Sequence, residues 1–99
     1  MPKILVYKYL TFFFYAGDLI NEPGHVHVVN NKSFLADAKI WFEKNKIEGG
    51  VGIAESGNLS DAELRIAVRI VKANKNYLIT QWDKFKSGQK TSIKILKKI

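Results

Sequence analysis

Ser60-Asp61-Ala62-Glu63 opens the longest helical pattern of this chain, and it comes only after a series of short strand-like segments. The tetrad has the form of a capping box, in which the Ser60 hydroxyl accepts from the Glu63 backbone N–H and the Glu63 carboxylate accepts from the Ser60 N–H. Leu59 precedes it as a hydrophobic staple. Leu64, Val68, Val71, Leu78, Trp82 and Phe85 then recur at steps near three and four, and Gly88 supplies the stop. Lys75 interrupts the stripe, so Asn74-Lys75-Asn76 is a natural place for one helix to become two. Strands first and helices last predict a segregated α+β domain.

Ile4 to Lys8 and Thr11 to Tyr15 are rich in β-branched and aromatic residues, and they read as a hairpin turning near Lys8-Tyr9 without the usual Asn-Gly or Asp-Gly. Phe12-Phe13-Phe14-Tyr15 does not alternate, which implies a strand covered on both faces, by the domain itself or by a partner. Residues 16–24 read as a loop and 25–30 as a third strand. Asn30-Asn31-Lys32-Ser33 joins it to a fourth over Ala36 to Phe42, with Ala38, Ile40 and Phe42 on one face and Asp37, Lys39 and Trp41 on the other. A last short strand near Gly49-Gly50-Val51-Gly52-Ile53 is weakened by its three glycines. The expected architecture is α+β: a small antiparallel β-sheet of about four strands packed against a C-terminal α-helix or helix pair. Residues 1–88 form the single domain and 89–99 a basic tail.

The net charge of +7 resembles a nucleic-acid signature until it is located. Of 16 lysines and arginines, six (Lys84, Lys86, Lys90, Lys94, Lys97 and Lys98) follow the last acid, leaving ten against nine in residues 1–83. The body is nearly neutral and the excess sits at the C-terminus, where such charge is commonly solvated and non-specific. Lys94, Lys97 and Lys98, with Arg65, Arg69 and Lys72 of the helix, are the candidate nucleic-acid-binding residues. Within the tail, Ile93, Leu96 and Ile99 recur at threes as in a weak amphipathic helix. Ile93 and Ile95 instead suit one face of an added edge strand, and a frayed terminus is the third reading. The absence of cysteine excludes disulfides and thiolate metal sites and fits a reducing cytosol. Too few apolar residues precede Lys8 for a signal h-region or a membrane span, so the expectation is a soluble, cytoplasmic protein with no membrane partner.

At about 100° per residue, Ile66, Ile70, Ala73 and Tyr77 fall on a second apolar stripe of the helix, leaving a narrow polar strip of Arg65, Arg69, Lys72 and Asn76. A surface helix needs one stripe. Either the helix is wedged between layers, or Ile66, Ile70 and Tyr77 are partner-binding residues for another small protein or a second copy of the chain.

The two histidines of the chain, His25 and His27, lie in Glu22-Pro23-Gly24-His25-Val26-His27-Val28. Alternation on a strand puts both imidazoles on one face and Val26 and Val28 on the other. Three readings follow. The pair can ligate a metal ion with a carboxylate such as Glu22 or Asp37 as third ligand, though no spacing marks either. It can act in metal-free general acid–base chemistry on a phosphate, with Arg65, Arg69 or Lys39 as the cation, which makes His25 and His27 the candidate catalytic residues. Or both rings can hydrogen-bond within the sheet or to the Tyr15 hydroxyl and order the preceding loop. A histidine-triad hydrolase is excluded by Val29 at the third alternating position. No phosphate-cradling Gly-x-x-x-x-Gly-Lys and no Gly-x-Ser-x-Gly occurs. Trp41, Tyr7 and Tyr9 beside Lys39 and Lys8 are able to stack bases, but packing is the plainer reading.

Met1-Pro2 with the following strand, Phe12-Phe13-Phe14-Tyr15, Glu22-Pro23-Gly24-His25-Val26-His27-Val28, Ala38-Lys39-Ile40-Trp41-Phe42 and Leu59-Ser60-Asp61-Ala62-Glu63-Leu64 together resemble the bacterial family of domain of unknown function 4160, which includes DhiT-type toxins of type II toxin–antitoxin pairs. The resemblance runs from Met1 to about Phe85. It implies a small cytosolic protein encoded beside a second small protein that acts as its antitoxin, with His25 and His27 as the family's paired histidines. No cofactor and no metal come with it. Lys8-Tyr9 stands where the family carries an Asp-Gly turn, and the lysines beyond Gly88 are an addition. The expected function is a toxin-like component acting with an antitoxin-like partner, with nuclease chemistry through the histidine pair as its enzymatic form. The alternative is a non-enzymatic nucleic-acid-binding or regulatory module.

Overall fold

Two residues reverse the chain between β1 (Lys3–Tyr7) and β2 (Leu10–Phe13), because Lys8 takes a left-handed φ of 52°. A side chain there costs roughly 1 kcal/mol, and the register Tyr7↔Leu10 closes directly on it. This computed structural model describes residues 2–15, 22–32, 37–43 and 50–99. The chain continues through β3 (His25–Asn30), β4 (Ala38–Trp41), β5 (Gly52–Glu55), α1 (Asp61–Ala73), α2 (Lys75–Lys86) and β6 (Lys94–Leu96). Most of the loop expected at 16–24, together with Ser33, Ala36 and Gly49, lies outside the described residues.

The fold is α+β, with six strands in the order β5-β4-β3-β2-β1-β6 where the sequence predicts about four. β1 to β5 pair antiparallel as a meander, and β6 adds parallel to β1 through Leu5↔Lys94, Val6↔Ile95 and Tyr7↔Leu96. Glycines hide β5 in the sequence. β6 is three residues long and is held by side chains far from it: the Tyr77 hydroxyl donates to the Ile4 carbonyl at 3.0 Å and lies 2.9 Å from that of Ser92, while Ser92 N donates to Gln81 Oε1 at 2.8 Å. Of the readings of the C-terminal segment, the added edge strand is the one the structure contains.

Residues opposed in an antiparallel ladder share a face. Leu10, Phe12, Val26, Val28, Ala38 and Ile40 are buried in the core beneath the helices, and the Asn30 side chain, on the same face as Leu10, donates to Glu63 at 2.7 Å. Glu63 thus serves the capping box and the sheet together, since its other oxygen accepts from Ser60 N at 2.9 Å and its own N–H donates to Ser60 Oγ at 3.1 Å. Phe13 points the opposite way and is also buried, which explains why the Phe12–Tyr15 run does not alternate.

Asn74 separates α1 from α2 with φ −114° and ψ 22°. Gly88, at φ 76°, ends α2 in a Schellman motif: Gln89 N donates to the Lys84 carbonyl and Gly88 N to that of Phe85. The second apolar stripe is not free. Ile70 is fully buried, Ile66 and Tyr77 pack partly buried against the core, and Ala73 is exposed. Ala67, also fully buried, lies at about 100° per residue midway between Leu64 and Ile70 and merges the two stripes into one broad face. Among the described residues no helix is long and apolar enough to cross a membrane.

Two stability measurements check this packing. Ile70→Ala is expected to lose about 2–5 kcal/mol in urea unfolding, while Arg65→Ala stays within about 0.5 kcal/mol. Truncation after Gly88 removes the β1–β6 pairing and the Ser92 contacts, worth about 1–2 kcal/mol, and is expected to lower the melting temperature by roughly 5–15 °C.

Candidate functional site

The face of the sheet opposite to that of Phe12, Val28 and Ile40 carries Phe13, His25, His27, Lys39 and Trp41, because His27 pairs with Phe13 on one side and Lys39 on the other, and His25 pairs with Trp41. Sequence alternation and register agree here, and the two histidine rings lie 5.2 Å apart. Their environments differ. His25 is 0% exposed and packs against Trp41 at 5.2 Å and Trp82 of α2 at 5.5 Å. Its Nδ1–H donates to the Pro23 carbonyl at 2.9 Å, and Nε2 lies 3.5 Å from Glu22 Oε2. Gly24, next to it, accepts from Phe42 N and Glu43 N through its carbonyl, so the Glu22-Pro23-Gly24 segment is bound to β4.

His27 retains 8% of its surface. Its Nδ1 lies 2.6 Å from Asp37 Oδ2, and because a carboxylate only accepts, the proton belongs on Nδ1. Phe13 stacks on the ring at 5.7 Å and Tyr15 meets it edge-on at 4.4 Å. Beside it Lys39 Nζ donates to both oxygens of Glu22, at 3.0 and 3.1 Å, and lies 4.8 Å from the centre of the Trp41 ring. The result is a tautomer-fixed imidazole in an aromatic frame with a lysine alongside, an arrangement suited to proton transfer next to a negative charge.

Asp37 is positioned from the other end of the sheet. Gly57, between β5 and α1, has φ 55°, and a Cβ on it would collide with the carbonyl group of Asp37 and the N of Ala38. Only glycine fits both the backbone angle and that approach. The sequence offers no signal for this contact, which joins residues far apart in the chain. It does place Asp37 across the hairpin from the histidines, as a metal-ligand candidate. Among the described residues no three His, Asp or Glu side chains are grouped to hold a metal ion.

The remaining candidate residues lie elsewhere. Arg65 and Arg69 are exposed on α1, beside Ile53 of β5. Lys72 and Lys94 gather near the α1–α2 junction, where Lys94 Nζ donates to Asn74 Oδ1 at 3.0 Å, and Lys97 and Lys98 are exposed beyond β6. No contact among the described residues joins these cations to the histidines. Trp41, Tyr7 and Tyr9 each carry a lysine over the ring, Lys39, Lys8 and Lys32 respectively, so none offers a bare stacking platform.

The family model for domain of unknown function 4160 matches residues 10–83, from β2 into α2, and so takes in the histidines, Asp37, Lys39 and Gly57. The chain belongs to this family. No curated protein and no solved structure matches the chain. The match stops short of β6 and of every tail lysine.

The unequal burial separates the two histidines experimentally. His25→Ala is expected to lose roughly 3 kcal/mol in urea unfolding, as for other large-to-small core changes, and His27→Ala only about 1–2 kcal/mol. Gly57→Ala is expected to lose about 1–3 kcal/mol and to abolish the low-field proton NMR resonance of the His27–Asp37 hydrogen bond, which wild type retains.

Proposed function

We propose that the chain is the toxin-like component of a type II toxin–antitoxin pair, acting with a small protein partner, and that its chemistry is metal-independent nuclease cleavage centred on His27. The observation that carries the reading is the 2.6 Å pairing of His27 with Asp37. A carboxylate on Nδ1 orients the ring, so that Nε2 takes the proton of the ribose 2′-hydroxyl as it bonds to phosphorus and returns it to the 5′-oxygen as that P–O bond breaks, the carboxylate stabilising the imidazolium between the two transfers. Lys39, opposite His27 on β4, supplies the positive charge that a phosphodiester in its transition state requires. Glu22 neutralises Lys39 in the structure and is itself 38% exposed, so an incoming phosphate can take its place on the ammonium. His25 is a positioning residue in this scheme, since its Nδ1–H is committed to Pro23 and its ring is enclosed.

The biological role rests on the resemblance to DhiT-type toxins, and the residue roles rest on the geometry of His27, Asp37 and Lys39. Growth on expression in cells, and rescue by any adjacent antitoxin-like frame, test both together, with RNA cleavage by the purified chain as the second readout. His27→Ala is expected to relieve growth arrest and lower cleavage by about 10²–10⁴-fold with the fold intact, as for loss of a general acid–base group. Asp37→Asn and Lys39→Met are expected to lower it as well. Full toxicity and cleavage in His27→Ala would sink the reading.

The second reading, a non-enzymatic nucleic-acid-binding module, draws on the exposed Lys97 and Lys98 and the net charge of +7. It predicts salt-sensitive binding that truncation after Gly88 removes and His27→Ala leaves unchanged.

A further inference from the structure

On the helix side of the sheet, between α1 and the outermost strand, a groove of about 500 Å³ is lined by Ile53, Asp61, Leu64, Arg65, Val68 and Arg69. Its lining is mostly apolar, and Ile53 is 46% exposed although it stands on a sheet strand facing a helix. β5 forms the edge of the sheet and among the described residues pairs only with β4. An edge strand beside an apolar groove has the two features that strand addition uses, free main-chain groups and pockets for alternate side chains.

The charges select the occupant. Arg65 and Arg69 are exposed and have no ion pair among the described residues. Four residues apart on a helix, they are separated by about 6 Å along its axis, while alternate residues of a strand are about 6.6 Å apart. Two carboxylates at alternate positions of an extended segment therefore have a spacing comparable to that of the two arginines, with Asp61 marking the end of the row where a further acid would be repelled. An apolar floor suits a peptide side chain and gives nothing to a sugar–phosphate backbone.

We propose that this groove docks an extended acidic segment of a partner protein, which joins the sheet as a strand beside β5, lays an apolar side chain over Ile53, Leu64 and Val68, and meets Arg65 and Arg69 with carboxylates. The inference goes beyond the nuclease reading and does not depend on it, because the groove contains neither histidine.

The test is selection of a displayed random heptapeptide library on the intact chain, followed by fluorescence-anisotropy titration of the enriched peptides. Enrichment of sequences with Asp or Glu at alternate positions beside an apolar residue is expected. Arg65→Glu with Arg69→Glu, and separately Ile53→Asp, should each weaken those peptides at least 10-fold while His27→Ala leaves them unchanged, circular dichroism confirming the fold of each. Backbone N-methylation of the peptide should weaken it similarly, and the Gly52 to Glu55 amides should shift in NMR and gain exchange protection. A library without acidic enrichment overturns the proposal, as does binding indifferent to the arginine and Ile53 variants. An RNA oligonucleotide that binds in place of peptides and is lost with the arginines also overturns it, assigning the groove to nucleic acid.

Discussion

Trp82 is the point from which the rest of the structure is braced. Only 2% exposed, its indole meets Phe14 at 5.0 Å, His25 at 5.5 Å, Phe42 at 6.0 Å and Phe85 at 6.3 Å. Those rings come from the ends of three neighbouring strands and from α2 itself, so one side chain sets the height of the helix pair above the sheet and the spread of the strand ends together. Large aromatic surfaces give the greatest burial per residue, and edge-to-face contacts add directionality that aliphatic packing lacks. Through His25, the same contact reaches the face of the sheet that carries His27. The two faces are therefore coupled at the strand ends, and packing under the helices constrains the geometry of the site.

Elements with local causes were legible in the sequence. The capping box, the Lys8-Tyr9 hairpin, the change of helix at Asn74 and the stop at Gly88 each depend on residues within a few positions of one another, and each has its counterpart in the structure. The shared face of His25 and His27 followed from strand alternation alone. What was not legible depends on contacts across the chain. β6 exists because Tyr77 and Gln81 hold the Ser92 segment against the helix, which no property of Lys94-Ile95-Leu96 announces. The second helical stripe reads as separate from the first because Ala67, small and between two rows of larger residues, carries little weight in a hydrophobic pattern yet is fully buried. Gly57 is invisible for the same reason in reverse: its importance lies in the Asp37 backbone it adjoins.

Burial is what divides the histidine pair. Sequence treats His25 and His27 as equivalent, and their strand positions are, but register gives them different neighbours. His25 opposes Trp41 and packs against Trp82, where its Nδ1–H serves the Pro23 carbonyl and its Nε2 stands 3.5 Å from Glu22. His27 opposes Lys39 and reaches Asp37, where its polar atoms meet charge. One dipeptide step thus separates a fully enclosed ring bonded to the backbone from a ring paired at 2.6 Å with a carboxylate side chain.

The two edges of the sheet follow opposite logic. β6 closes one side with Lys94, Lys97 and Lys98 around it and with Ile93 and Ile95 exposed at 57% and 73%. Lysines on an edge strand discourage pairing with another chain, because each added strand must desolvate or neutralise them. β5 closes the other with Gly52-Ile53-Ala54-Glu55, a strand without a basic residue, next to Arg65 and Arg69 of α1, which have no ion pair among the described residues. The cations that protect an edge when they stand on it become an attraction when they stand beside it, since an acidic strand can then pair with bare backbone and reach them by its side chains. Under the proposed strand addition, a sheet with one guarded and one receptive edge takes an added strand at β5 without offering β6 for a second.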